Sequence, residues 1–344
     1  MKSAFLTDIS TFELRDIPNP NCPQDGVVLQ VKACGVCGSD LRRWKEGPGK
    51  EPIIPGHEIA GIVSEVGCIV SGYSVGDKLA IAPDVHCGTC HFCRNGQYNL
   101  CDNLHLIGIT PGYPGGFSEN IILTDEILTN GIVHRIPSGM SFAQAALAEP
   151  CSSVLAAHDK AGTDLEHTVL VMGGGPIGCL HIAVAQSRGA RVILSEPSPV
   201  RRQIANGFDP SEIIDPSKED LAARVSEITG GLGVDIVVCA NPIAATQTQA
   251  VEVVRKGGRV ILFGGLPKVT PLTSLDANRI HYGEITVVGS FSYHPTYHEM
   301  ALSAISRGLI PDEKLITHKY GINEIDQAFQ TASSGKALKV IIIF

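Results

Sequence analysis

The run TVLVMGGGPIGCLHIAVAQSRG at residues 168–189 restricts the fold of this chain more than any other stretch. Residues 168–172 are uninterruptedly apolar, as expected of a strand buried on both faces. Glycines follow at 173, 175 and 178, and a helical apolar pattern then runs to Gly189. A lone G-x-G-x-x-G is weak evidence, but between a strand and a helix of a βαβ unit it marks a dinucleotide site. Gly173 is expected to make the tight turn and Gly175 to let the backbone approach a pyrophosphate. Gly178 would let helix and strand pack closely, and Pro176 and Ile177 open the helix whose N-terminus faces the phosphates. The other use of such a loop is a helix-packing turn with no ligand. Glu196 ends the next strand, ARVILSE, where a carboxylate would hydrogen-bond the adenosine ribose hydroxyls. A carboxylate there repels a 2′-phosphate, so NAD is expected over NADP. Arg201 and Arg202 follow closely enough to stack on the adenine or to pair with a phosphate.

The alternation continues through DIVVCA (235–240), RVILFGG (259–265) and ITVVGS (285–290), with helical patterns between. A parallel sheet covered on both faces is the expected result. Residues 1–147 read differently. They are rich in Gly and Pro, with short β-type runs such as VVLQVKA (27–33) and IAGIVSEVG (59–67), which suggests an irregular all-β unit. The tail carries helical stretches near PTYHEMALSAISRG and INEIDQAFQTASS and a final strand, ALKVIIIF. The expected organisation is therefore an α/β chain of two domains. Residues 148–293 form the nucleotide-binding one, and residues 1–147 form the other, completed by 294–344.

Residues 87–101, CGTCHFCRNGQYNLC, hold four cysteines within reach of one point. Four thiolates suit tetrahedral Zn²⁺, and a site closed by four protein ligands has no position left for substrate. Disulfides or a redox CxxC are the other uses of such spacing. The loop lacks the strand-then-helix setting of a thioredoxin motif. Eleven cysteines, an odd number with four clustered, also fit metal binding in a reducing compartment better than a secreted disulfide framework. Cys87, Cys90, Cys93 and Cys101 are thus expected to hold a structural zinc, and chemistry must lie elsewhere.

The net charge of −8 gives no basic face for a phosphate backbone, so nucleic acid is not an expected partner. The N-terminus MKSAFLTDISTFELRD has no apolar signal region, and glycines and a proline interrupt the longest uncharged stretch. A cytoplasmic protein without a membrane span is expected. For the chemistry, CGVCGSD (34–40) and GHE (56–58) offer Cys37 and His57 from different loops. With a carboxylate they would make a three-ligand zinc site with an open fourth position. Either residue alone is more often a buried structural group.

Taken in order, VKACGVCGSD, PGHEIAGIV, the four-cysteine loop and VLVMGGGPIG resemble the zinc-dependent medium-chain dehydrogenases over nearly the whole chain. Glu149-Pro150, with FGGLP (263–267) and NRIHYGEITVVGS (278–290), resembles the sorbitol (polyol) dehydrogenase branch. The resemblance implies a GroES-like catalytic domain, a Rossmann domain and two zinc ions per chain. It also implies a homodimer or homotetramer. Cys37, His57 and Glu149 match the catalytic zinc ligands, and Glu58 matches a glutamate that ligates when the site rearranges. Asp40 matches a carboxylate holding the imidazole of His57, and Ser39 a hydroxyl that contacts the substrate alcohol. The implied activity is hydride transfer between a secondary alcohol of a polyol or sugar and NAD. The nearest alternatives are a threonine-type or polyol-phosphate dehydrogenase, or a non-catalytic protein of the same fold. Arg42 stands where many relatives carry a histidine of the proton relay, which leaves water for that role. Arg42 and Arg43 side by side raise the possibility of an anionic substrate, against the plainer reading of two solvated arginines. Cys151, two residues from Glu149, is read as a small buried cysteine.

Overall fold

The computed structural model describes residues 1–344 and divides into two compact units. The first comprises Met1–Ser152, Tyr293–Gly308 and Ile316–Phe344; the second comprises Ser153–Ser292 and Leu309–Leu315. The segment Leu309–Leu315 groups with the second unit, which differs from the expected placement of 294–344 in the first. Lys314 shows one tie, its ammonium donating to the Gly207 carbonyl at 2.8 Å.

The first unit is built on an eight-stranded sheet. Its main path runs Ile316–Gly321, Lys339–Ile343, Val27–Gly35, Glu58–Val66, Lys78–Val85 and His105–Leu106. Asn120–Leu123 also pairs with Val27–Gly35, and Gly131–Arg135 with Lys78–Val85. Inward-facing Leu29, Val31, Ile59, Val63, Leu79 and Ile81 pack against Phe117, Phe329, Val340 and Ile342 in one core. Two registers position the site. Gly35 pairs antiparallel with Glu58 on one side and with Ile341 on the other. That register sets Lys339 beside the chain just past Gly35, its Nζ 3.2 Å from the Val36 carbonyl. A Cβ at Gly35 would collide with the Glu58 carboxylate, so glycine there lets Glu58 reach across the strand.

The second unit is a six-stranded parallel sheet. Its spatial order is Glu212–Ile214, Arg191–Ser195, Thr168–Met172, Val234–Cys239, Val254–Leu262, Thr286–Gly289. In chain order of these strands this is 3-2-1-4-5-6, the doubly wound Rossmann arrangement. Leu170, Met172, Ile193, Val237, Cys239 and Val260 share its core, which explains the continuous apolar runs. The order reverses between Thr168–Met172 and Val234–Cys239, and the carboxyl ends of those strands are where such sheets bind ligands. No helix is long and apolar enough to cross a membrane.

Candidate functional site: two metal centres and a glycine cradle

The four-cysteine loop closes on itself. Gly88 and Gly96 both take φ of 71°, a left-handed turn that glycine adopts freely. Between them the short helix His91–Arg94 is capped by Cys90, whose sulfur accepts the Cys93 N–H. Cys87, Cys90, Cys93 and Cys101 place their sulfurs within 4.8 Å of one another. The Cys87–Cys93 separation is 4.0 Å and the Cys90–Cys93 separation 3.5 Å. Both bracket the edge of about 3.8 Å expected of a tetrahedron with zinc–sulfur bonds of about 2.3 Å. All eleven cysteines are free thiols. Backbone N–H groups of Thr89 and Cys90 lower the Cys87 thiol to about 6. Burial and the Cys90 and Cys101 thiols push Cys93 the other way, to about 12. Four thiolates this close repel one another unless a cation sits among them, so the donor set fits a metal ion.

The second cluster forms where a helix begins. Cys37 is the N-cap of Gly38–Glu46, and Asp40 accepts the Cys37 N–H at 2.9 Å. The other oxygen of Asp40 stands 3.4 Å from His57 Nδ1, a long ion-pair contact. His57 Nε2 lies 3.4 Å from the Ser39 hydroxyl. Cys37, His57 and Glu58 keep their donor atoms within 4.8 Å of one another. Asp40, His57 and Glu58 are all buried. Burial pushes the His57 imidazole toward neutrality, but Asp40 and then Cys37 outweigh it and raise its pKa well above the usual value. Without a metal the chain therefore favours a proton on His57, where its anionic surroundings call for a positive charge.

Glu149 lies outside that closest cluster, in the helix Ala148–Ala161. Burial pushes its carboxyl up to about 7; His57 opposes the rise and Glu58 adds to it. The Tyr293 hydroxyl donates to it at 3.4 Å. Glu58, by contrast, sits in the cluster but is held by Lys339 Nζ at 2.5 and 2.8 Å from its two oxygens. Sequence reasoning missed both Lys339 and Tyr293. A lone lysine inside the apolar run ALKVIIIF was the available signal, because a lysine is almost never fully buried unless paired. Cys151 is buried with its thiol pushed up to about 12 by burial. Arg42 is exposed, whereas Arg43 is half-buried.

The fold requires two of the three motif glycines. Gly173 takes φ of 116°. A Cβ at Gly178 would collide with the Gly173 carbonyl oxygen, so helix and strand could not close up. Gly175 is different: its backbone is extended, and a Cβ there would meet nothing within 4 Å. Neither backbone nor packing requires glycine at 175, and the main chain there is open to close approach. Pro176 and Ile177 open the helix Pro176–Ser187 at that point. Glu196 accepts the Gly174 N–H at 2.7 Å and the Ser198 N–H at 2.8 Å, which ties it to the loop. Arg202 pairs with Asp215 at 2.8 Å, while Arg201 is half-buried in the first turn of Pro199–Asn206.

These arrangements have close counterparts among known proteins. The family described as "Alcohol dehydrogenase GroES-like domain" matches residues 23–137, and "Zinc-binding dehydrogenase" matches 176–307. Sorbitol dehydrogenase of Halalkalibacterium halodurans is 34% identical, covering 99% of both chains. D-arabitol-phosphate dehydrogenase of Enterococcus avium is 33% identical over 95% of this chain and 92% of its own. A structure from Sinorhizobium meliloti 1021, described as a zinc-binding dehydrogenase bound to NADP, superposes with a TM-score of 0.90. It is 30% identical and covers 100% of this chain and 99% of its own. The chain belongs to the zinc-dependent medium-chain dehydrogenase/reductase family, in its sorbitol dehydrogenase-like branch.

Proposed function

We propose that this enzyme oxidises a secondary alcohol of a polyol or sugar, passing hydride to NAD and releasing the hydroxyl proton. The observation that carries the reading is the Ser39–His57–Asp40 chain beside Cys37, with the half-buried Glu149 electrostatically coupled to His57. Cys37, His57 and Glu149 would hold the catalytic zinc. Zinc bound there supplies a Lewis acid that lowers the pKa of the substrate alcohol. Asp40 fixes the ring orientation of His57, the usual partner of a metal-bound imidazole. The Ser39 hydroxyl receives the alcohol proton. Arg42 stands where a relay histidine would, so water takes the proton from Ser39. Lys339 keeps Glu58 neutralised at the rim of the cluster.

The coenzyme would lie on the Gly173–Gly178 cradle, with its adenosine ribose toward Glu196. Glu196 favours NAD, and the NADP in the Sinorhizobium relative makes the ratio of the two coenzymes the informative measurement. The sulfurs of the 87–101 loop would hold a second zinc without substrate access. His57→Ala tests the reading. It should abolish NADH formation from every polyol, remove about one of two zinc ions, and leave a folded protein that still binds NADH. Near-normal turnover by that variant would exclude this mechanism.

A further inference from the structure

We infer that Tyr293 is a positioning residue for the catalytic metal: its hydroxyl holds one oxygen of Glu149 and so fixes the direction in which that carboxylate meets the ion. The inference rests on the zinc-dependent reading above and deepens it by naming the group that orients the third ligand. The three expected ligands are secured differently. Cys37 caps a helix and gives its N–H to Asp40, and His57 stands between Asp40 and Ser39. Glu149 lies in the first turn of Ala148–Ala161, outside the close cluster of Cys37, His57 and Glu58. Glu58 and Asp84 oppose the charge on its carboxylate, while His57 and Lys339 favour it. Those opposed neighbours give the carboxylate no single direction. Tyr293 Oη supplies one, donating to Oε1 at 3.4 Å. A tight O–H···O bond spans about 2.5–3.0 Å, so this contact guides the carboxylate without clamping it.

The phenol has reason to point there. Tyr293 is 3% exposed, so its proton must go to a protein group rather than to bulk water. Two acceptors are within reach, the Glu149 carboxylate and the Ser152 hydroxyl. Ser152 follows Glu149 by three residues on the same helix face, and its own proton goes to the Ala148 carbonyl. An ionised carboxylate is the stronger acceptor, so the phenol proton falls to Glu149. The backbone leaves the first unit after Ser152 and re-enters it at Tyr293, so this contact joins the two crossings within that unit. Carboxylates that ligate metals are themselves held by outer hydrogen bonds. Losing such a bond typically costs about 10- to 100-fold in metal affinity or activity.

Tyr293→Phe removes one oxygen and keeps the ring. Zinc affinity is read by competition with a pyridine dicarboxylate chelator, without substrate or coenzyme. One of the two expected zinc ions should bind about 10- to 100-fold more weakly, and the other as in wild type. In cobalt-substituted enzyme the visible d–d bands of the weakened site should shift, because a released carboxylate changes the ligand field. Glu149→Ala supplies the second arm. Added to it, Tyr293→Phe should alter zinc affinity by less than about two-fold, since no carboxylate remains to be positioned. An equal loss in both backgrounds would make Tyr293 a packing residue and overturn the inference. Unchanged affinity and bands in Tyr293→Phe would overturn it too. Either result leaves the zinc-dependent reading intact when Glu149→Ala alone weakens one zinc. Wild-type zinc affinity in Glu149→Ala would remove Glu149 from the ligand set, and this inference with it.

Discussion

Lys339 and Glu58 form an ion pair that is almost entirely shielded from water. Removing one partner of such a pair leaves an uncompensated buried charge, at about 3–5 kcal/mol. Lys339→Met should therefore unfold at markedly lower denaturant, and Glu58→Gln added to it should restore part of the loss. Equal stability of the single and double variants would show that the charge of Glu58 is neutralised elsewhere. Glu196 carries a second residue-scale prediction. Wild type should use NAD better than NADP, and Glu196→Gln should narrow the ratio by about ten-fold, the size of one lost charge contact. A wild-type preference for NADP would place the 2′-phosphate where repulsion was expected. At this scale the meeting of Cys37, Ser39, Asp40 and His57 was legible only through the order of motifs that the family resemblance rests on. Lys339 was not. It meets Glu58 only through the register of two strand pairings, 281 residues apart in sequence, and no local pattern encodes such a meeting.

Secondary structure was the most legible level, since runs such as 169–172 and 236–239 state their burial outright. How far an element extends is less visible: VVLQVKA grows into Val27–Gly35 because Cys34 and Gly35 pair on both sides. Two elements make measurable predictions. Cys93→Ala should remove about one zinc and lower the melting temperature by about 10 °C or more, or prevent soluble folding, without touching the site around His57. Loss of turnover in a fully stable Cys93→Ala protein would reverse the roles given to the two clusters. The helices Ala148–Ala161 and Pro176–Ser187 meet through a buried chain in which His158 contacts Thr163 Oγ1 at 2.8 Å and His181 Nδ1 at 3.1 Å. Burial lowers the pKa of His158 to about 3 from 6.5. The unfolded chain thus binds the extra proton first, and stability falls as pH drops below 6.5 toward 3. Between 6.5 and about pH 5 this imidazole accounts for about 2 kcal/mol. Denaturant titrations of His158→Gln should show a correspondingly flatter acid limb; a slope matching wild type would mean His158 is already protonated in the fold.

The presence of a β-rich part and a βαβ part was legible, because the two have different periodicities. Their fine boundaries were not, since Leu309–Leu315 joins the second unit through tertiary contacts rather than composition. Assembly is an expectation at this scale. The strand Thr286–Gly289 ends the six-stranded sheet with one edge unpaired by the chain. Nearby Tyr282 and Phe291 are 76% and 58% exposed. Open strands of this kind invite pairing with another copy. Sedimentation should report a multiple of 36.4 kDa at micromolar concentration; a monomer would exclude edge pairing as the resting state.

The strand Lys339–Ile343 lies between Ile316–Gly321 and Val27–Gly35, so an early strand of the sheet waits for a late one. On the ribosome the parallel sheet has all its strands once residue 289 has emerged, whereas the strand that pairs with Ala33–Gly35 is still unmade. Synthesis at about 5–20 residues per second leaves that gap open for several seconds. During it Glu58 lacks Lys339 and the edge at Ala33–Gly35 is bare, a surface that chaperones and proteases recognise. A chain released before Lys339 would hold the Gly173–Gly178 loop and leave Glu58 without its partner. Stalled chains ending after Ser334 should accordingly retain NADH binding and be digested across residues 27–66, while chains extended past Phe344 resist.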